Sequence, residues 1–264
     1  MNYDESLFKL DDSIVFLTGA NGQLGCELVH ALIAFGSKVV AVDLSLDLIS
    51  NKIKENALDE ERILTLECDI TNKLEVSNAF RKGKNHFGQI TGLVNNAGVS
   101  VFEPFMERSE ESIDFVMDVN LKGTLFCIQE FLLSKDEDRS GGAIVSIGSH
   151  YGFISPDPRI YSDGDRRNSE IYGATKAGVI QMTKYFSVHA SAHNVRVNAV
   201  SPGGIRSSES PQREEFQKKY NYRCPMGRMA ETREIVGAVL YLISPAASYV
   251  NGHNLVVDGG FSAW

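Results

Sequence analysis

Tyr172 and Lys176 stand four residues apart in the run Tyr172-Gly173-Ala174-Thr175-Lys176. Positions i and i+4 of a helix share one face, so the two side chains would point the same way about one turn apart. A free phenol titrates near ~10, but an ammonium a few ångströms away favours the phenolate and lowers that pKa. The pair predicts a tyrosine that exchanges protons with a substrate; on this spacing alone, an ordinary contact on a helix surface remains the alternative.

A glycine-rich turn lies near the start of the chain, between an apolar run over residues 13–17 and a helical pattern over residues 26–35. Its glycines are Gly19, Gly22 and Gly25, spaced G-x-x-G-x-x-G rather than the G-x-G-x-x-G of the dinucleotide fingerprint. A glycine turn between strand and helix lets the backbone approach a pyrophosphate, which then lies at the helix N-terminus. The turn therefore predicts a dinucleotide site.

Asp43 ends the next apolar run and follows Gly19 at close to the ~20 residues at which an acid meets the adenosine ribose. A carboxylate accepts hydrogen bonds from ribose hydroxyls but repels a 2′-phosphate, and neither Leu44 nor Asn21 offers a compensating cation. The sequence therefore predicts NAD as the preferred cofactor over NADP. A simple helix cap or a solvated strand end is the alternative for Asp43.

Apolar strand-like runs alternate with helical patterns along the whole chain. Strands are predicted at residues 14–18, 38–43, 62–68, 92–95, 143–147, 195–200 and 254–257, and helices at residues 23–35, 46–58, 73–87, 110–133, 170–192 and 232–244. This alternation predicts an α/β fold, a single-domain Rossmann-type doubly wound parallel sheet of about seven strands with helices on both faces. Ligands of such sheets bind beyond the carboxyl ends of the strands, where Gly19, Asp43, Asn95, Ser149 and Ser201 are predicted to lie.

Eight short motifs follow one another along the chain, most of them after a hydrophobic strand. They are the loop Thr18–Gly25, Asp69 in Cys68-Asp69-Ile70, Asn95-Asn96-Ala97-Gly98, Asn120, Ser149, Tyr172 with Lys176, Pro202-Gly203, and Val257-Asp258-Gly259-Gly260. In this order the motifs resemble those of the classical short-chain dehydrogenases/reductases, and the resemblance covers nearly the whole chain.

The resemblance implies a catalytic group of four residues. Tyr172 would exchange a proton with the substrate oxygen, and Lys176 would hold the nicotinamide ribose and lower the pKa of Tyr172. Ser149 would hydrogen-bond the substrate oxygen, and Asn120 would anchor a proton-relay water. The implied reaction interconverts a secondary alcohol and a ketone by hydride transfer with NAD(P).

The resemblance also implies cofactor contacts spread along the chain. Asp69 and Ile70 would contact the adenine, and the backbone near Ile205 would contact the carboxamide. The full predicted set is Gly19, Asn21, Gln23, Leu24, Asp43, Asp69, Ile70, Asn96, Ala97, Gly98, Tyr172, Lys176, Pro202, Gly203 and Ile205.

Gln23 departs from the classical pattern, which usually has glycine at this position. The resulting glycine spacing resembles sugar-nucleotide epimerases and dehydratases that retain NAD, but those carry a larger domain after Pro202 than this chain does. A catalytically silent NAD-binding regulator is the other alternative. The intact group of Asn120, Ser149, Tyr172 and Lys176 counts against a catalytically silent regulator, because a protein that only senses NAD needs no tyrosine with a shifted pKa.

Two segments are predicted to shape the substrate pocket: an insertion over residues 155–169 between Ser149 and Tyr172, and a lid over residues 205–229. Both are polar, and proline, glycine and aspartate in the insertion indicate an ordered loop. Candidate substrate residues are His150, Tyr151, Arg159 and Arg206, and Arg159, Arg166 and Arg167 could meet an anionic group. The region also resembles reductases of bacterial surface-sugar and flagellin modification, so a sugar or sugar derivative is the expected substrate.

The bulk properties fit a single domain over residues 1–264, in which residues 1–12 form an N-terminal extension. A formal net charge of −8 argues against a nucleic-acid partner. The four cysteines and six histidines show no metal-ligand spacing, and the chain has no apolar run of membrane-spanning length. We expect a cytoplasmic enzyme of small molecules with no metal. Apolar residues in excess on the stretches 110–133 and 170–192 predict a homodimer or homotetramer, since the family pairs these helices.

Overall fold

The fold is built on one parallel sheet, seen in a computed structural model that describes residues 5–135, 141–161, 169–207 and 212–264. Its seven strands are β1 Ile14–Thr18, β2 Lys38–Asp43, β3 Ile63–Glu67, β4 Gly92–Asn95, β5 Gly142–Ile147, β6 Val195–Pro202 and β7 Asn254–Val257. They lie in the order β3-β2-β1-β4-β5-β6-β7, and every pair is parallel. The predicted fold class is confirmed. The order reverses between β1 and β4, which is where such sheets bind dinucleotides.

Eight α-helices in the described ranges cover the two faces of the sheet. They are α1 Gln23–Ala34, α2 Asp47–Glu55, α3 Lys73–Phe87, α4 Glu110–Met117, α5 Thr124–Leu133, α6 Glu170–His189, α7 Glu214–Arg223 and α8 Thr232–Ile243. The prediction of one unbroken helix over residues 110–133 is wrong in detail, because a π-helical turn, Asp118–Gly123, separates α4 from α5.

Side-chain caps fix the beginnings of three helices. The Asn72 side chain accepts from the backbone N–H of Leu74 at the start of α3, and Ser109 caps α4 in the same way. At α6 the buried Ser169 hydroxyl accepts from the backbone N–H of Tyr172 at 3.1 Å. Such caps typically contribute about 1 kcal/mol. The cap at Ser169 sets the position of the first turn of α6, which carries Tyr172.

Apolar side chains fill the space between the sheet and each helical layer. On one face, residues of α1 and α8 such as Leu28 and Val239 pack on β1 and β2. On the other face, the rings of Phe16 and Phe80 stack at 3.9 Å between centroids, and Phe131 of α5 is fully buried. Because the strands are buried on both faces, they are continuous apolar runs rather than alternating ones.

A third apolar cluster lies outside the sheet and joins three distant parts of the chain. Ile160 comes from the predicted insertion, Tyr220 and Cys224 from α7 and its end, and Phe261 from the C-terminal tail. The polar sequence of the predicted lid, residues 205–229, leads to the expectation that it buries little apolar surface. That expectation is wrong, because α7 forms there and Met229, with Tyr220 and Cys224, is buried against the cluster.

The two chain segments of less regular structure are partly described. In the N-terminal extension Glu5–Phe8 forms a 3₁₀ turn, and the buried Leu10 donates its N–H to the Phe35 carbonyl at 2.8 Å. In the insertion Pro158–Ile160 forms a 3₁₀ turn. Residues 162–168 of the insertion, with Arg166 and Arg167, and residues 208–211 of the predicted lid lie outside the described residues. Within the ranges described, none of the helices has the length and apolar character needed to cross a membrane.

Candidate active site

Ser149, Tyr172, Lys176 and Asn120 meet beyond the carboxyl ends of β4 and β5. Ser149 follows β5, its Oγ accepts from the Tyr151 N–H at 3.1 Å, and it is close enough to the Tyr172 phenol to lower its pKa. The Lys176 ammonium lies 5.7 Å from the centre of the Tyr172 ring. A Cβ placed on Gly98 would lie 3.2 Å from Lys176 Nζ and 3.4 Å from Asn120 Oδ1, so the β4 loop runs directly beside both groups. The structure thus brings the four predicted catalytic residues together.

Burial governs the protonation of Tyr172 and Lys176. Burial raises the pKa of Tyr172, and the hydrogen bond from Ser149 only partly opposes this. Burial also lowers the pKa of Lys176 to about 8, and Nζ donates to the Ile147 carbonyl at 2.8 Å. The expected lowering of the Tyr172 pKa by Lys176 is therefore not found in the protein alone. The ammonium is directed at the Ile147 carbonyl, and the same low-polarity surroundings disfavour both charged forms.

Asn120 lies in the π-helical turn and links two parts of the site. Its Oδ1 accepts from the Val99 N–H at 2.7 Å, and its Nδ2 donates to the Val99 carbonyl at 2.9 Å and to Thr175 Oγ1 at 3.2 Å. The Asn120 carbonyl accepts from Thr124 Oγ1 at 2.8 Å. Single π-turns occur often at functional sites. Here the turn directs Asn120 so that it fastens the β4 loop to the helix of Tyr172.

A groove of about 320 Å³ runs along the carboxyl ends of β1 to β4. Eight residues of the predicted cofactor set lie in its wall: Gly19, Leu24, Asp43, Asp69, Ile70, Asn96, Ala97 and Gly98. Asn21 and Gln23 are in the same loop as Gly19. Gly203 lies instead in the wall of a small cavity of about 60 Å³ with Gly204 and Tyr220, at the base of the predicted lid.

The glycines of the first loop fit a close approach of backbone to a ligand. Gly19 has φ +68°, and a Cβ there would lie 2.7 Å from Ala97 Cα, so only glycine is accommodated. A Cβ on Gly25 would overlap the Gly19 carbonyl, which explains its glycine by helix–loop packing. At Gly22, however, a Cβ would come no closer than 3.5 Å to any other part of the chain. Gly22 faces the groove, where a bare backbone suits a pyrophosphate at the start of α1.

Asp43 organises this loop as well as facing the groove. Its two carboxylate oxygens accept from the backbone N–H of Asn21 at 2.8 Å and of Leu44 at 2.7 Å. Asn21 in turn accepts from the Ile49 N–H at 2.9 Å, near the start of α2. A carboxylate offers about four acceptor positions, so two remain for ribose hydroxyls.

His150 and Tyr151 form a buried polar wall directly after Ser149. The His150 ring lies 4.2 Å from Tyr151 and 4.9 Å from Phe261 between ring centroids, and its Nδ1 has no hydrogen-bond partner within the described structure. The Tyr151 and Tyr161 hydroxyls are 3.1 Å apart, and Tyr161 belongs to the insertion. Burial raises the pKa of Tyr151, so its hydroxyl is neutral.

The predicted substrate arginines lie elsewhere. Arg159 pairs with Asp157 at 2.7 Å and faces an open cavity of about 650 Å³. The other walls of that cavity come from Lys218, Arg223 and Trp264, and none of the four predicted catalytic residues lies in it. Arg206 is exposed at the start of the predicted lid. The structure therefore does not bring Arg159 together with Tyr172.

Several residues of the site were not singled out from the sequence. Thr18 Oγ1 accepts from the N–H groups of Asn96 and Ala97, both at 3.1 Å, and so joins the first loop to the end of β4. Tyr220 of α7 accepts from the Gly204 N–H at 2.6 Å. Thr18 stood inside a recognised motif, but nothing local distinguished Tyr220, whose partners are remote in sequence.

His150 should make the stability of the protein depend on pH below neutrality. Burial lowers its pKa from 6.5 to about 4, with Asp258 opposing and Arg223 adding to the shift. As pH falls below about 6.5, the His150 imidazole is protonated in the unfolded chain before it is protonated in the folded protein. The free energy of unfolding therefore falls between pH 6.5 and pH 4. The shift corresponds to about 3 kcal/mol in the free energy of unfolding.

Urea unfolding at pH 7 and near pH 4.5 checks this prediction with a matched pair of variants. His150→Phe should flatten the fall in stability between the two pH values, whereas His193→Phe, at an exposed histidine, should leave it as in the wild type. If the free energy of unfolding fell equally between pH 7 and pH 4.5 in both variants, His150 would not be the titrating group.

Comparisons with known proteins agree with the site geometry. A family model described as enoyl-(acyl carrier protein) reductase matches residues 19–262. The chain is 32% identical to a ribulose-forming D-arabinitol 2-dehydrogenase of Candida albicans (strain WO-1), covering 97% of this chain and 95% of the relative. It is 33% identical to an NADH-dependent L-xylulose reductase of Ambrosiozyma monospora, covering 97% of each. A crystal structure of a short chain dehydrogenase from Leptospira borgpetersenii serovar Hardjo-bovis with bound NAD⁺ superposes with a TM-score of 0.87 at 35% identity, covering 99% of this chain and 97% of that one.

The chain therefore belongs to the short-chain dehydrogenase/reductase family, as its motifs predicted. It is an oxidoreductase that acts on CH–OH groups with NAD or NADP and interconverts a secondary alcohol and a ketone. This assignment favours the predicted function over the alternatives of an epimerase that retains NAD and of a silent regulator.

Proposed function

We propose that the protein is an NAD-dependent dehydrogenase of sugar alcohols, which oxidises a secondary alcohol of a polyol to a ketose or catalyses the reverse reduction. The observation that carries the proposal is the convergence of Ser149, Tyr172 and Lys176 beside a second pair of hydroxyls, those of Tyr151 and Tyr161, 3.1 Å apart. The similarity to D-arabinitol 2-dehydrogenase and L-xylulose reductase supports a substrate of this class.

Tyr172 is the proposed acid/base. During oxidation the Tyr172 oxygen takes the proton of the substrate alcohol while its own phenolic proton passes to a relay water and on to solvent, and Ser149 hydrogen-bonds the substrate oxygen. The bound NAD supplies the acceptor for the hydride. The Lys176 ammonium, 5.7 Å from the centre of the Tyr172 ring, would stabilise the negative charge that develops on Tyr172 during this transfer. The Asn120 carbonyl uses one of its two lone pairs on Thr124, so the other can hold a relay water.

The groove below Tyr172 suits NAD rather than NADP. Its first loop offers the N-terminus of α1, which carries no side-chain cap, to the pyrophosphate. Asp43 faces the adenosine ribose and would repel a 2′-phosphate. Asp69 and Ile70 line the part of the groove assigned to the adenine. Pro202, Gly203 and Ile205 remain the proposed contacts of the nicotinamide end, at the base of the lid.

Tyr161 of the insertion joins His150 and Tyr151 to form the wall that makes the site selective for polyols. The Nδ1 of His150 is buried within this wall, and the Tyr151–Tyr161 pair contributes both a donor and an acceptor. Hydroxyl groups that both donate and accept match the hydroxyls of a polyol chain. We propose Arg159 and Arg206 as residues of the outer rim only, because Arg159 is paired with Asp157 and its side chain is 84% exposed.

Oxidation of a panel of alcohols with NAD⁺ tests this function. NADH should accumulate with pentitols and hexitols, and Tyr161→Phe should raise KM for the preferred polyol about tenfold, the cost of one lost hydrogen bond of about 1.4 kcal/mol. For cyclohexanol, which has no further hydroxyl, KM should change less than about twofold in Tyr161→Phe. Tyr222→Phe, at an exposed tyrosine of α7, is the control. Turnover of cyclohexanol but of no polyol would refute the substrate class.

We also propose a cytoplasmic homodimer or homotetramer that binds neither membranes nor nucleic acid. Large apolar side chains are exposed on the helices expected to pair, among them Phe115 and Leu133 of the α4–α5 segment and Tyr185 and Val188 of α6. Association through these helices would remove such exposed apolar side chains from water. A molar mass of one chain by light scattering at micromolar concentration would contradict the assembly.

A further inference from the structure

Gln23 makes two long-range hydrogen bonds from the middle of the first glycine-rich loop. Its Nε2 donates to the Arg206 carbonyl and to Thr232 Oγ1, each at 2.7 Å. These partners lie 183 and 209 residues further along the chain. A glycine at this position, as in the classical pattern, would make neither bond.

The two partners of Gln23 lie in the two short stretches that connect the predicted lid to the rest of the protein. We use the term neck for the two short stretches Gly204–Arg206 and Ala230–Thr232. They are joined by a parallel bridge in which the Ala230 N–H donates to the Gly204 carbonyl and the Arg206 N–H to the Ala230 carbonyl, both at 2.9 Å. Gln23 therefore bonds one residue on the entering side of the neck and one on the leaving side.

The neck also carries the contact between the lid and the site. The Gly204 N–H donates to the Tyr220 hydroxyl at 2.6 Å, and Tyr220 stacks on Phe261 with 4.8 Å between ring centroids. His150, next to Ser149, packs on the same Phe261 ring. A displacement of the neck would therefore move Tyr220 and loosen the packing behind the catalytic serine.

A glutamine suits this place because both partners accept hydrogen bonds. A carbonyl and a hydroxyl can share the two N–H groups of one amide. An ionised glutamate of the same shape would direct a negative oxygen at the Arg206 carbonyl, and methionine would keep the length without a donor. Gln23 is the first residue of α1, so its backbone stays in the loop assigned to the pyrophosphate.

We propose that Gln23 is a positioning residue that fastens the neck of the lid to the dinucleotide loop. It thereby fixes the position of the substrate site relative to the cofactor site. The inference rests on the proposed function for its catalytic consequence, but the fastening itself is a property of the protein without substrate.

Hydrogen exchange of the protein alone tests the fastening. In Gln23→Met and Gln23→Glu the amides of Arg206, Ala230 and Gly204 should exchange about fivefold to tenfold faster, since two hydrogen bonds to the neck are lost. Gln181→Met, at an exposed position of α6, should leave these amides unchanged. Unchanged neck exchange in both Gln23 variants would overturn the proposal.

Kinetics and a second variant separate this inference from the proposed function. KM for NAD and for the polyol should both rise about fivefold to tenfold in Gln23→Met, while kcat falls less. Thr232→Val removes the hydrogen bond from Gln23 to Thr232 by changing the acceptor. In the double variant Gln23→Met, Thr232→Val the increase in KM should therefore be smaller than the two single increases combined. Strict additivity would overturn the proposal. A lack of polyol turnover in the wild type would refute the proposed function, while the exchange test of Gln23 would stand.

Discussion

Changing Tyr172 to phenylalanine should lower kcat by about 10³-fold, while the dissociation constant for NAD changes less than about twofold. The substitution keeps the ring beside Lys176 and removes only the hydroxyl next to Ser149. A proton-transfer group therefore disappears, whereas the groove of the dinucleotide keeps its shape. Steady-state kinetics with the preferred polyol and NADH fluorescence titration measure the two quantities.

Two other tyrosines provide controls for this experiment. Tyr185→Phe lies on the same helix, α6, but at an exposed position, and it should leave both quantities unchanged. Tyr151→Phe removes a buried hydroxyl near the site and should raise KM more than it lowers kcat. Near-native turnover in Tyr172→Phe would show that another group transfers the proton.

Wild-type protein should bind NADH about 10²-fold more tightly than NADPH, and Asp43→Asn should reduce that preference to about fivefold or less. At an effective dielectric constant of ~20, two unit charges 4 Å apart repel by about 4 kcal/mol, and salt weakens this to roughly the 2.7 kcal/mol of a hundredfold preference. The carboxylate is held in place by the N–H groups of Asn21 and Leu44, so it cannot turn away from a 2′-phosphate without losing both bonds.

Titration of the protein with NADH and with NADPH measures the preference. A variant at a second carboxylate distinguishes the local effect of Asp43 from the effect of net charge. Glu27→Gln removes one exposed carboxylate from α1 and should leave the ratio of the two dissociation constants within about twofold of the wild type. Thermal unfolding of Asp43→Asn reports how far the loop itself depends on the carboxylate. Tighter binding of NADPH than NADH to the wild type would reject the assignment of Asp43.

The sheet could be predicted from sequence because its strands are buried on both faces. All seven predicted strands are present, and their ends differ from the prediction by about two residues at most. The run Val39-Val40-Ala41-Val42 is short, rich in β-branched residues and preceded by Gly36, which favours a buried strand. The convergence of the catalytic residues also followed, because the carboxyl ends of parallel strands meet at one edge.

Other features could not be predicted because they depend on partners remote in sequence. The π-turn at Asp118–Gly123 has no local signature, and its effect is seen only in the bonds of Asn120 to Val99 and Thr175. Half of the residues of helix α7 are charged, and only the packing of Tyr220 on Phe261 shows why the helix is anchored. The raised pKa of Tyr172 follows from burial, which the Tyr-x-x-x-Lys spacing does not report.

The apolar cluster of Ile160, Tyr220, Cys224, Met229 and Phe261 limits how substrate range can be changed by exchanging segments between homologues. The insertion, α7 and the C-terminal tail each contribute side chains to it, although they are far apart in sequence. An insertion transplanted alone would leave Ile160 without its packing partners and would expose apolar surface beside the site. Useful chimaeras must therefore carry the three segments together, and homologues should differ at these positions in correlated sets.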